Sequence, residues 1–183
     1  MGVRLQRRRL DKQDDMDAVQ QKHERAVGEA FVAWYNGVSR MSYEFHVHGS
    51  DPPDLIYRNG SQELLLEITA GYYDAAHATM LWQNAREVPG APDSWSSKGP
   101  DQKLIDHVNL AIEKKSAKAY PSGCLLVIAV YPDLASADEF AALLPELHVP
   151  DTHPFGEIYV GGLFPASSGG SAGGYFWWKL WTA

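Results

Sequence analysis

The chain has 183 residues, of which 45% are hydrophobic and 21% charged; this fits one globular domain and excludes a collagen, a coiled-coil rod and a disordered tail. The net charge is −7 even though Arg4, Arg7, Arg8 and Arg9 crowd the first ten residues, an acidic balance that argues against a simple nucleic-acid coat protein but not against a metal-dependent nuclease, whose site itself gathers carboxylates. A single cysteine, Cys124, excludes internal disulfides and multi-cysteine zinc sites, and without a long apolar run or an apolar leader the expectation is a cytoplasmic protein with no membrane partner.

Residues 1–16 read as a basic, polar N-terminal arm, and residues 17–183 as one α/β domain. From Asp17 to Tyr35, Val19, His23, Val27, Ala30, Phe31 and Trp34 recur at helical spacing, and Asn36-Gly37 supplies a stop. Met41 to Val47 alternates as a strand, which places His46 and His48 on one face with Glu44. Asp51-Pro52-Pro53-Asp54 is a stiff extended entry to a short strand, Leu55 to Arg58. Asn59-Gly60 signals a hairpin, and Glu63 to Thr69 is the returning strand. A short helix over 75–85 and a long Pro/Gly/Ser-rich loop follow.

Asp101 to Tyr120 is an amphipathic helix with Leu104, Val108, Ala111 and Ile112 on one stripe. Cys124 to Tyr131 is a continuous apolar run, as in a central strand buried on both faces. Ser136 to Leu144 is a helix begun by Ser136 or Asp138, and Glu157 to Phe164 is a strand. A Gly/Ser loop over 166–174 leads to a last strand, Tyr175 to Trp181. That strand places Phe176 and Trp178 on one face and Trp177 on the other, suited to core packing and to a homodimer contact.

The hairpin carries the strongest chemical signal. If Asn59-Gly60 is a two-residue turn, Asp54 faces Leu65 and Glu67 lies two residues further on the same face. If the loop is Asn59 to Gln62, Asp54 faces Glu67 directly. Either register puts both carboxylates on one face, about 5–8 Å apart. Like charges that close need a compensator. A divalent cation supplies it, and Mg²⁺ (or Mn²⁺) suits one or two carboxylates plus water and phosphate oxygens.

Asp54 after Pro53, followed across a β-turn by Glu67-Ile68-Thr69, resembles the PD-(D/E)xK nuclease superfamily. The element order from about Asp17 to Tyr131 is similar to that superfamily's αβββαβ, restriction-endonuclease-like core, with a mixed central sheet flanked by helices. The resemblance implies Mg²⁺-dependent phosphodiester hydrolysis on nucleic acid, with the metal held by Asp54, Glu67 and the Ile68 carbonyl. Thr69 stands where the superfamily places a lysine, and a hydroxyl cannot supply an ammonium's charge. Some members carry that lysine on the next helix instead. At 100° per residue, Lys115 falls about 20° from Val108 on the apolar stripe, with Lys118 about 80° and Lys114 about 120° off it. Lys115 is therefore the expected migrated lysine, with Lys118 in reserve; a lysine snorkelling from the helix end is the plain alternative. Superfamily members often carry a glutamate on the first helix, and Glu24, about 60° from Val27, is placed for it, whereas Glu29 faces away.

Two other readings stand beside this one. Thr69 and the acidic balance favour a catalytically inactive binding or assembly protein on the same fold. His46 and His48 on one strand face would suit a Zn²⁺ or Mn²⁺ hydrolase, with Glu44, Asp51 or Asp54 as third ligand. His107 and His153 have no spacing partner and read as surface residues. Cys124 reads as a small core residue rather than a nucleophile. Neither a serine-hydrolase elbow nor a P-loop is present.

Overall fold

In a computed structural model, residues 2–50, 52–73, 75–96, 99–131, 135–166 and 173–182 are described, with side chains described between residues 18 and 181. The elements run α1 (Gly2–Ser39), β1 (Glu44–His48), β2 (Leu55–Asn59), β3 (Gln62–Gly71), α2 (Ala75–Ala85), α3 (Pro100–Ser116), β4 (Leu125–Val130), α4 (Ala137–Leu143), β5 (Glu157–Phe164) and β6 (Gly174–Thr182). The six strands form one mixed sheet in sequential order. β1, β2 and β3 are antiparallel, β3, β4 and β5 are parallel, and β6 returns antiparallel to β5. The expected α/β class, a mixed sheet flanked by helices, is what forms.

Each sheet face buries its own core. On one face, Phe31 and Val32 of α1 pack on Leu55, Tyr57, Leu66, Val127, Tyr159 and Trp177. On the other, Leu104, Val108 and Ile112 of α3 and Phe140 of α4 pack on Leu126, Ile128, Val130, Ile158 and Val160. β4 is buried along its whole length, as its uninterrupted apolar sequence requires. The aromatics of β6 divide as alternation dictates: Trp177 joins the α1 core, and Phe176 and Trp178 join the other.

Several boundaries differ from the sequence reading. α1 begins at Gly2, so the helix takes in residues 2–16, which the sequence sets apart as a basic arm. The helix also runs through Asn36-Gly37. The Asn36 amide donates to the Tyr43 carbonyl at 3.0 Å and accepts from the Tyr43 amide at 2.9 Å. It thereby ties α1 to the approach to β1, and the chain turns at Arg40, which adopts φ 58°. α3 stops at Ser116, where the Ala117 and Lys118 amides cap the Glu113 and Lys115 carbonyls at 3.1 Å each. Lys118 and Tyr120 therefore lie beyond the helix. α4 begins at a capping box between Ser136 and Glu139, as the sequence suggests.

The hairpin turn is Gly60-Ser61, not Asn59-Gly60, with Asn59 opposite Gln62 and Gly60 at φ 61°. Only glycine takes that conformation freely, so the turn shifts by one residue and the register becomes the one in which Asp54 faces Glu67. The Arg58–Glu63 ion pair at 2.6 Å closes the same register.

β1 holds a further correction. Its pairing slips between Phe45 and Val47, and this bulge breaks the two-residue alternation. His48 then falls opposite Leu55 and packs its ring on Phe45, 5.4 Å between centroids, while His46 is exposed. The two histidines do not share a face. The proposed third ligand Asp51, and residues 167–172 of the Gly/Ser loop, lie outside the described residues.

Candidate active site

Asp54 is delivered by the turn before β2. The Gly49 amide donates to the Asp54 carbonyl at 2.8 Å. The Asp54 carboxylate, through Oδ2, accepts from the Ile68 amide at 2.7 Å. That bond latches Asp54 onto β3 one residue from Glu67. Burial, and next the neighbouring Glu67 carboxylate, push the Asp54 acid up to about 7 from 3.8.

Glu67 projects from β3 onto the face that α3 covers and is only 2% exposed. Its Oε1 accepts from Lys115 Nζ at 2.5 Å and from the Tyr120 hydroxyl at 3.2 Å. Its Oε2 is buried and has no hydrogen-bond partner among the described residues. A buried carboxylate oxygen without a donor is costly, and a bound cation is one group that satisfies it. Lys115 comes from the apolar stripe of α3, as its helical angle requires, and its side chain is 20% exposed.

Glu24 comes from α1. It is half-buried, accepts from Gln20 at 2.7 Å, and its acid is raised chiefly by burial. The charges of Glu67, His48 and Lys115 also act on it. Glu29 points outward to an exposed ion pair with Arg25. Glu24, Asp54, Glu67, Ile68, Thr69, Lys115 and Lys118 line one cavity of about 440 Å³. The fold thus brings together Glu24, Asp54, Glu67, Lys115 and the reserve lysine Lys118, and Thr69 sits among them without a charge.

The donors fit Mg²⁺ or Mn²⁺ better than Zn²⁺. Among the described residues, no three His, Cys, Asp or Glu side chains converge as a ready-made metal cage. Two oxygen-only carboxylates, one with an orphaned buried oxygen, match an ion that takes few protein ligands and completes its shell with water and phosphate. Cys124 is fully buried in the core, and its thiol is pushed up to about 12 by burial. His107 and His153 are both half-buried rather than surface residues. His107 meets the Tyr73 carbonyl at 3.0 Å, and His153 packs on Trp181.

The cavity also holds residues that motif reasoning does not single out. His23, Tyr72 and Trp82 line it. The His23 ring hydrogen-bonds the Tyr131 hydroxyl, and Tyr131 stacks on Tyr72 at 5.7 Å with planes 9° apart. His23 lies on the α1 stripe that the periodicity marks, but nothing local shows what it meets. Tyr72 precedes the short helix over 75–85 and Trp82 lies within it, and nothing local shows what either ring meets.

Comparison with protein-family models, with curated proteins and with solved structures gives no match. No helix among the described residues is long and apolar enough to cross a membrane.

Proposed function

We propose that this chain is a divalent-metal-dependent phosphodiesterase acting on nucleic acid, built on a restriction-endonuclease-like αβββαβ core of the PD-(D/E)xK kind and working in the cytoplasm. The observation that carries this reading is the lysine. Thr69 leaves the usual position without charge, and Lys115 brings an ammonium to Glu67 from the following helix, at 2.5 Å.

Asp54 and Glu67, with the Ile68 carbonyl, would hold Mg²⁺ or Mn²⁺. Bound there, the ion would supply Lewis-acid polarisation of a phosphate oxygen and a more acidic water. Glu67 divides its work: Oε1 anchors Lys115 and Tyr120, and Oε2 remains for the metal. Lys115 donates to the attacking water or to a phosphate oxygen and offsets negative charge as the bond to the leaving oxygen breaks. Glu24 holds a water at the rim of the cavity. Tyr120 fixes the rotamer of Glu67.

The test is cleavage of labelled single-stranded and duplex oligonucleotides in Mg²⁺ or Mn²⁺ against EDTA. Wild type cleaves only with metal, and Glu67→Gln and Lys115→Met each lose about 10²–10³-fold or more, the scale of removing one preorganised electrostatic group. Metal-independent cleavage, or full activity in both variants, overturns the proposal. Thr69 favours one second reading, an inactive binding protein on the same fold; binding of nucleic acid with no cleavage under any metal would establish it.

A further inference from the structure

The carboxylate cavity does not stand alone. A second cavity of about 500 Å³ adjoins it, and the two share Thr69, Ala70, Tyr72, Lys115 and Lys118. Together they form one groove between α3 and α2 that passes the carboxylates. Tyr72, Lys115 and Lys118 are common to both parts, and the residues that flank them differ in chemistry. Towards α3 the groove is lined by Lys114 and Lys118, both exposed, with Lys115 between them. Towards α1 and α2 it is lined by half-buried aromatic rings: Tyr72, Trp82 and the imidazole of His23.

The aromatic end is held in place from behind. Tyr72 stacks on Tyr131, and His23 lies 5.6 Å from Trp82 between ring centroids. Rings fixed in this way offer a π-surface at low entropic cost. A phosphate track beside such a surface fits a polymer whose bases are unpaired. In a duplex the bases are stacked on one another and cannot reach a wall, and duplex affinity rests on a broad cationic face. This chain carries a net charge of −7, and the groove sets three lysines beside the three carboxylates Glu24, Asp54 and Glu67.

We infer that the groove binds single-stranded nucleic acid, or a frayed end, with backbone phosphates on Lys114 and Lys118 and a base stacked at Trp82 and Tyr72. This inference rests on the nuclease reading for its placement beside Asp54 and Glu67, and it names the substrate form.

The experiment is fluorescence anisotropy in EDTA, where no cleavage occurs, with a labelled oligothymidine and a blunt duplex of equal length. Wild type should bind the single strand at least about tenfold more tightly. Trp82→Ala should weaken single-strand binding by about 5- to 100-fold, with Trp82→Phe in between. Combined Lys114→Ala and Lys118→Ala should reduce the slope of log affinity against log salt by about 0.7 per lysine. Circular dichroism and thermal melting confirm that each variant is folded, and Trp82→Phe serves if Trp82→Ala does not fold. Duplex binding as tight as single-strand binding, no binding of either, or indifference to Trp82 overturns the inference. Because binding is read without metal, failure of the catalytic reading leaves this result standing. Conversely, metal-dependent cleavage of duplex that ignores Trp82 would sink this inference and leave the catalytic reading intact.

Discussion

Lys115 of α3 and Glu67 of β3, 48 residues apart in sequence, meet at 2.5 Å with Glu67 almost wholly removed from water. Removing one partner of a buried ion pair leaves the other charge uncompensated, at a cost of about 3–5 kcal/mol. Lys115→Met should therefore lower the urea midpoint in metal-free buffer. Added Mg²⁺ should recover part of the loss, because a cation between the carboxylates replaces the missing charge. Equal stability of variant and wild type without metal would show that the pair is not formed in solution.

Asp54 behaves in the opposite sense. Its carboxylate sits in a buried site against Glu67, yet an amide oxygen serves the Ile68 N–H equally well. Asp54→Asn should stabilise the metal-free protein, raising Tm by about 2–4 °C for each kcal/mol gained in a chain of this size. The same variant should lose Mg²⁺ affinity. A residue that destabilises the empty fold and is required for metal marks a binding site rather than a structural one.

The pH dependence of stability follows from the same residue. Asp54 titrates at about 7 when folded against 3.8 ordinarily, so between those values the folded state holds a proton that the unfolded chain has lost. Stability contributed by this group is complete below about 4 and is lost as pH rises towards and through about 7. Saturating Mg²⁺ favours the ionised form and should flatten or reverse that slope. Chemical denaturation between pH 4.5 and pH 8, with and without Mg²⁺, and with Asp54→Asn as the control that lacks the slope, measures it.

Gly49 sets the position of Asp54. A Cβ at Gly49 would come within 1.8 Å of the Pro53 carbonyl oxygen and 2.7 Å of its carbon. Backbone atoms cannot swing aside as a side-chain tip does. Gly49→Ala should move the turn that presents Asp54, cost about 1–3 kcal/mol, and weaken Mg²⁺ binding. Gly37→Ala meets nothing within 4 Å and serves as the benign comparison. Unchanged metal affinity in Gly49→Ala would show that the turn does not position the carboxylate.

The sheet and its helices are legible wherever a single period governs a segment, as in α3, β4 and β5. The carboxylate pair is legible because both hairpin registers keep Asp54 and Glu67 on one face, although the turn itself lies one residue further on. Lys115 is legible because a charged residue on an apolar stripe points inward. The His46–His48 pairing misleads because one bulge inverts the alternation, and a bulge leaves no mark in local sequence. Asn36-Gly37 misleads because Asn36 finds its partners at Tyr43, outside the helix. His23, Tyr72 and Trp82 escape because their meeting depends on how α1 and α2 are placed over the C-terminal end of β3, a tertiary fact that no spacing encodes.

The most direct measurement is calorimetric titration of Mg²⁺ and Mn²⁺ into wild type, Asp54→Ala and Glu67→Ala, each shown to be folded by circular dichroism. The account predicts saturable binding to wild type, in the presence of an uncleavable phosphorothioate oligonucleotide if the ion needs phosphate to complete its shell, and loss of that binding in both variants. Folded wild type that takes up neither ion under either condition, or variants that bind as wild type does, would contradict it.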